Sequence, residues 1–188
     1  ENCTVAITKQ GGKPCYMISS QFAGEVQLKH NDVIEKAKSY LDKLGYKNMK
    51  ESYYFTEDGI CTINFASTQN DVVMYPDLIK VSVSLENGDV LSLDATGYIS
   101  NHTTRSNLSP KISLEQAKNV INNQLQIMDT QICVIPTEWK TEQLCYEIHC
   151  KDENSREFLI YIDYEKSYYS YFSCSTYHMF VFNRMQQC

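Results

Sequence analysis

The side chains best equipped for chemistry sit close together around residue 147. Cys145, Glu147 and His149 alternate, and Cys150 comes next. In an extended segment alternate residues point to one face, so the first three would share it. A thiol, a carboxylate and an imidazole on one face could hold zinc or form a Cys–His pair. Zinc, however, takes about four ligands, often at hairpin spacings such as C-x2-C. No such spacing occurs in this chain, nor does a second Cys/His cluster. Strand residues two apart diverge too little to wrap one metal alone. The reading adopted is therefore packed or solvated side chains, with no metal.

The remaining titratable groups read the same way. His102 could act as an acid or base, a role to which histidine as a residue type is suited. No nucleophile neighbours it in sequence, and it reads as a polar loop residue. His30 belongs to the approach to a helix, and His178 sits in an irregular tail. Paired carboxylates occur at Glu57-Asp58, Asp152-Glu153 and Asp163/Glu165. Glycosidases use two carboxylates about 5–9.5 Å apart, but the first two pairs fall in turn-like segments, where acidic residues are solvated. There is no G-x-S-x-G elbow, H-E-x-x-H helix or phosphate-binding glycine loop. No catalytic residue, metal ligand or cofactor is assigned, and the sequence does not single out a partner-binding surface.

Composition narrows the class further. The chain has 188 residues, 43% hydrophobic and 21% charged, which supports a packed core and disfavours disorder. A net charge of −6 without a Lys/Arg block argues against nucleic acid as partner. No stretch approaches the roughly 18 apolar residues of a membrane helix, and no signal peptide is visible at the start. The chain opens inside a strand-like segment, as though sequence upstream had been cut away. Fourteen tyrosines lean the composition towards sheet, where the ring packs and the hydroxyl reaches water. Eight cysteines lie at scattered positions, 3, 15, 61, 133, 145, 150, 174 and 188. Most read as small buried apolar residues, and their pairing stays open.

The elements that would position these groups follow from periodicity. Val33, Ile34, Ala37, Tyr40, Leu41 and Leu44 form one helical face over 32–44, with Asn31 as cap and Gly45 as left-handed terminator. Leu114, Ala117, Val120, Ile121 and Leu125 form another over 114–126, opened by a Ser113/Gln116 capping box. Strands are expected at 53–55 and 61–65 around the Glu57-Asp58-Gly59 turn. Ile79, Val81, Val83 and Leu85 alternate with polar residues, as do Leu91, Leu93 and Ala95, so Asn87-Gly88 reads as a two-residue hairpin turn. Further strands are expected at 131–135, 143–149 and 157–161. In Asp94-Ala95-Thr96-Gly97-Tyr98, Gly97 is expected at positive φ, Asp94 bonded to a nearby backbone N–H and Tyr98 over the core edge.

The order helix-then-strands occurs twice, and residues repeat with it. Glu35-Lys36-Ala37-Lys38 matches Glu115-Gln116-Ala117-Lys118, and Val81-Ser82-Val83 falls opposite Ile160-Tyr161-Ile162. Two copies are implied, each a helix laid on an antiparallel sheet, with a boundary in 101–110. Residues 1–18 have a strand, the Gly11-Gly12 turn and another strand, but no helix.

Helix-then-hairpin repeats of this size resemble PepSY domains. The detailed likeness is to the C-terminal PepSY region of the YpeB family of spore-germination proteins. Gly11-Gly12-Lys13 leading to Tyr16-Met17, the run 81–101 (VSVSLENGDVLSLDATGYISN), Ile112 to Ala117, Ile135-Pro136-Thr137-Glu138 and Leu144-Cys145-Tyr146-Glu147 carry it, in order over residues 1–163. The stretch Asp94 to Tyr98 is the most telling. The run 164–188, rich in Tyr, Phe and Cys and without glycine, departs from the pattern, which there would have a turn and a final alternating strand.

The resemblance implies an α+β fold of tandem PepSY-like repeats, each a helix packed on an antiparallel β-sheet. It divides the chain into 1–20, the terminal hairpin of a truncated upstream repeat; 21–109, one repeat; and 110–188, a second with an atypical tail. It implies a non-catalytic role in the spore, at the outer side of the inner membrane or the cortex, with any membrane contact through an N-terminal anchor absent here. The implied partner is the cortex-lytic hydrolase SleB, which the chain would bind, stabilise or restrain. Two other expectations compete with this one: an enzyme acting on peptidoglycan through carboxylates not visible in sequence, and a non-hydrolytic binder of cortex glycan with tyrosines stacking on sugar rings.

Overall fold

The structure is a computed structural model that describes residues 2–137, 139 and 141–164. It is an α+β protein, mostly sheet with few helices. The chain forms two compact units. Among the described residues, the first holds those within 1–69 and 74–104, and the second those within 70–73 and 105–164.

In the first unit, strands β1 (Cys3–Ile7) and β2 (Pro14–Ser19) precede helix α1 (His30–Lys43). Then come β3 (Met49–Glu57), β4 (Ile60–Gln69), β5 (Val72–Ser84), β6 (Val90–Asp94) and the short helix α2 (Thr96–Asn101). The antiparallel neighbours run β1–β2–β6–β5–β4–β3. Helix α1 forms because its apolar residues recur at helical spacing. Val33, Ile34, Ala37 and Leu41 are buried and pack with Cys61, Ile63, Phe65, Ile79, Val81, Val83 and Leu93. Each fully buried aliphatic or aromatic side chain contributes about 1.5–3 kcal/mol. The helix starts two residues earlier than its periodicity implies. Lys29 is the N-cap and no side chain caps it, so Asn31 does not play that part. Gly45 ends the helix at φ +81, as expected.

Three sequence expectations change here. The Glu57-Asp58-Gly59 turn is present, with Asp58 and Gly59 both at positive φ. A second such turn, Asn70-Asp71, also has both residues left-handed and starts β5 at Val72, seven residues before the alternating pattern. Asn87-Gly88 is not a two-residue turn. Ser84 donates to the Asp89 carbonyl, so four residues intervene. The reason is Leu85, which turns into the core at 1% exposure while its carbonyl accepts from the Gln27 and Leu28 N–H groups. Gly97 is not at positive φ, since it lies inside α2. A Cβ there would sit 3.0 Å from the Leu78 carbonyl oxygen, so glycine is needed for close approach of α2 to β5.

In the second unit, helix α3 (Leu114–Lys118) precedes a meander of β7 (Gln126–Pro136), β8 (Glu142–Lys151) and β9 (Glu157–Asp163). The capping box is formed: Ser113 Oγ accepts from Gln116 N–H, and Gln116 Oε1 accepts from Ser113 N–H. The helix is much shorter than 114–126. Asparagines at 119, 122 and 123 favour turns over helix interior, and Asn122 Oδ1 accepts the Gln124 N–H. Ala117 and Ile121 still reach the core, with Tyr146, Ile148 and Cys150 beneath them. The atypical run expected after Tyr164 lies outside the described residues.

Gly97→Ala offers a test whose sign is informative. In an open helix the change would stabilise by up to about 1 kcal/mol. Against the Leu78 carbonyl it is expected to destabilise by about 1–3 kcal/mol in urea unfolding.

Candidate functional site

A polar and aromatic cluster in the first unit brings together residues that are far apart in sequence. Asp77 on β5 is fully buried. His102, at the end of α2, places Nδ1 2.7 Å from Asp77 Oδ2, and Ser67 Oγ donates to the same oxygen at 3.1 Å. The His102 ring stacks on Tyr98 with centroids 4.1 Å apart. Tyr98 meets Tyr46 edge-on, and Lys13 Nζ lies 3.9 Å from the Tyr46 ring centroid. The Tyr46 hydroxyl donates to the Pro14 carbonyl. Burial pushes Tyr46 up to about 12, helped by Cys15 and Tyr98. Burial also raises Tyr98, with Asp77 adding to it, and lowers Lys13.

His102 is thus a loop residue, half exposed, but anchored by a buried carboxylate. The chemistry of this group is limited. Ser67 donates to Asp77 and not to the imidazole, so the nucleophile–base contact of a Ser–His–Asp relay is absent. Asp77 and Ser67 were not picked out from sequence. The available signal was a single carboxylate inside the apolar run Val72 to Ile79, since charges are almost never fully buried unless paired.

The Asp94 stretch is structural. Asp94 Oδ1 accepts from the Thr96 N–H and Oγ1, and Tyr98 closes the core edge, as expected. His30 is the first residue of α1, with Nε2 3.0 Å from Thr56 Oγ1.

In the second unit the strand register puts Cys145, Glu147 and His149 on one face, together with Cys133 and Gln131 from β7 and Asp163 and Tyr161 from β9. Cys150 points the other way, into the core under α3. His149 turns to Glu157, 3.0 Å away, rather than to its neighbours on β8. Glu147 Oε1 accepts from Gln131 Nε2, while Glu147 Oε2 is buried with no partner among the described residues. Cys145 is pushed up to about 12 by burial, then by Asp163 and Glu147. Burial, with Glu147 and Cys145 adding to it, also raises Cys133 well above its ordinary value. Among the described residues no group of three or more His, Cys, Asp or Glu could hold a metal ion.

Glu57 and Asp58 flank the β3–β4 turn. Asp152 accepts from the Asn154 and Arg156 N–H groups and from Arg156 Nε, which staples the β8–β9 turn. Burial raises its carboxyl, but the Arg156 bonds and charge outweigh that and lower it. Glu165 lies outside the described residues, as do Cys174, His178 and Cys188.

Comparison with known proteins places this architecture. The family model described as YpeB sporulation, PepSY1 and PepSY2 domains matches residues 1–108. The chain belongs to the YpeB sporulation family. It is 31% identical over 161 residues to the sporulation protein YpeB of Halalkalibacterium halodurans, covering 85% of this chain and 35% of that one. It is 30% identical over 161 residues to YpeB of Bacillus subtilis, covering 84% and 35%. The Bacillus megaterium YpeB C-terminal domain superposes with a TM-score of 0.81 at 27% identity, covering 88% of this chain and 74% of that one. The chain spans about a third of the length of these curated YpeB relatives.

Two outcomes follow from this geometry. His102→Phe keeps a ring on Tyr98 but removes the bond to Asp77, and is expected to cost about 1–3 kcal/mol in chemical unfolding. The second concerns alkali. Tyr40, Tyr46, Tyr98, Tyr146, Cys61, Cys133, Cys145 and Cys150 are all raised above their ordinary values, chiefly by burial. Above the ordinary thiol value of 9.0 these groups therefore hold more protons in the folded chain than in the unfolded one. Stability from these groups is full below that pH and falls as pH rises through the folded values, near 11 for Cys61 and 12 for Cys145. The urea midpoint should drop steadily from pH 9 upward.

Proposed function

We propose that the chain is a non-catalytic germination module that binds a cortex-lytic hydrolase of the SleB type, and so stabilises or restrains it in the spore. The observation that carries this reading is the edge of the first unit. Strand β1 pairs with β2 alone among the described residues, and all five of its residues are exposed, including Val5 and Ile7. An exposed apolar edge strand is a ready template for an added strand from a partner. Membership of the YpeB sporulation family supports a role in the spore. In this reading the fold consists of tandem PepSY-like repeats. The order α1, then β3 to β6, answers to the order α3, then β7 to β9. No helix among the described residues is long and apolar enough to cross a membrane.

One observation favours a second reading, binding of cortex glycan without hydrolysis. On the sheet face away from α1, Thr62, Ser82 and Ser92 form a ladder of hydroxyls at 3.0 and 2.7 Å. Tyr53 and Phe55 flank it on β3, and Tyr16 and Ile18 on β2. Hydroxyls between aromatic platforms suit sugar rings. A peptidoglycan-cleaving reading has less behind it, since Asp152 is taken up in stapling the β8–β9 turn and Glu57 and Asp58 belong to the β3–β4 turn.

Calorimetric titration with purified SleB tests the leading reading. Micromolar or tighter binding is expected, weakened at least about tenfold by Val5→Lys with Ile7→Lys, a loss of about 1.4 kcal/mol. Absence of binding, together with co-sedimentation of the chain with cortex that Phe55→Ala abolishes, would favour the glycan reading instead.

A further inference from the structure

The face of the β7–β8–β9 meander turned away from α3 holds two thiols in direct register. Cys133 on β7 and Cys145 on β8 are antiparallel partners, so their side chains leave the sheet on the same side. Directly paired residues have Cα atoms about 4.5 or 5.5 Å apart, depending on the hydrogen-bonding position. Both values fall in the range of about 4.4–6.8 Å that a disulfide spans. Cross-strand Cβ atoms lie about 4.5–5.5 Å apart, so closing the bond draws them together by up to about 1 Å. Both are free thiols in the structure, 0% and 1% exposed.

We propose that Cys133 and Cys145 are a disulfide-forming pair, closed while the chain folds in the presence of a low-molecular-weight disulfide and shielded from exchange once it has folded. In the reaction one protein thiol loses its proton and attacks the oxidant's S–S bond, forming a mixed disulfide and expelling one small thiolate. The second protein thiol, also deprotonated, attacks the protein sulfur and expels the other. The S–H bonds of Cys133 and Cys145 are lost, their S–S bond forms, and the oxidant is reduced to two thiols.

The timing follows from burial. Only the thiolate exchanges, and in the folded chain burial and the neighbouring Glu147 carboxylate hold both sulfurs in the thiol form. Entry of oxidant is also blocked, because both residues are fully buried. In the unfolded chain neither restraint operates. Exchange therefore belongs to folding, or to an opening of the β7–β8 pair. Among the described residues no other thiol shares this face. Cys150, five residues on from Cys145, points into the core beneath α3, and Cys61 lies in the first unit.

The test is to refold the full chain from urea in a buffer of oxidised and reduced glutathione, block free thiols with iodoacetamide, and map tryptic peptides by mass. Residues 119–140 and 141–151 are single tryptic peptides, carrying Cys133 and the pair Cys145/Cys150 respectively. The expected result is a disulfide-linked 119–140/141–151 species that persists in Cys150→Ser and disappears in Cys145→Ser. The oxidised chain should melt several degrees above the chain refolded in reductant. The chain folded reduced and then exposed to the same buffer should form the link at least about tenfold more slowly than the chain in urea. Recovery of Cys133 wholly alkylated after oxidative refolding would overturn the proposal. So would a link that survives Cys145→Ser and is lost in Cys150→Ser.

Discussion

The first unit depends on a one-sided arrangement: α1 covers one face of an antiparallel sheet, and among the described residues of this unit no helix covers the other. Val33, Ala37 and Leu41 have no alternative burial, and the strands answer with Cys61, Ile63, Phe65, Ile79, Val81 and Val83 on the same side. Because the strand period is two, a slip of one residue in any of these strands would expose the whole set. This one contact therefore fixes the register of β4 and β5, and through their pairing that of β6 and β2. It also decides what the far face can hold: Thr62, Ser82 and Ser92 occupy the positions that alternate with the buried ones.

The buried polar groups are the exceptions to that arrangement. Asp77 stays buried because Ser67 and His102 bond it, and His102 is held in turn by its stacking on Tyr98. Removing an acceptor's partner in such a place costs more than the bond itself is worth. The position of α2 is part of the same arrangement. Gly97 lets α2 approach the Leu78 carbonyl, and that approach brings Tyr98 and His102 to Asp77. The Asp94-to-Tyr98 stretch, the most telling mark of likeness to the YpeB family, is thus a packing device. Its glycine serves closeness rather than an unusual backbone angle.

In the second unit the two faces of β8 have opposite characters. Tyr146, Ile148 and Cys150 pack beneath α3, while Cys145 and Glu147 lie on the other side with Cys133, Gln131 and Asp163. The grouping of thiols and carboxylates there comes from register, and the thiols are held protonated by burial. A face of this kind is chemically quiet when folded and reactive when open.

Much of this was already determined by sequence. The helix faces of α1 and α3, the Ser113 capping box, the left-handed Gly45, the Glu57-Asp58-Gly59 turn and the alternation in 79–85 rest on local spacing, and local spacing acts before the chain has folded. The placing of Cys145, Glu147 and His149 on one face rests on it as well. The likeness to the YpeB family was legible because it resides in ordered short segments. Tertiary structure decided the rest. Leu85 lengthens the β5–β6 loop because the core takes its side chain, and Gly97 sits in a helix because a carbonyl 19 residues away in the chain lies against it. Asn119, Asn122 and Asn123 end α3 early because the apolar stripe could be buried without a full helix. The Asp77–Ser67–His102 cluster and the Cys133–Cys145 register depend on which strands pair, and strand pairing joins residues that no local pattern relates.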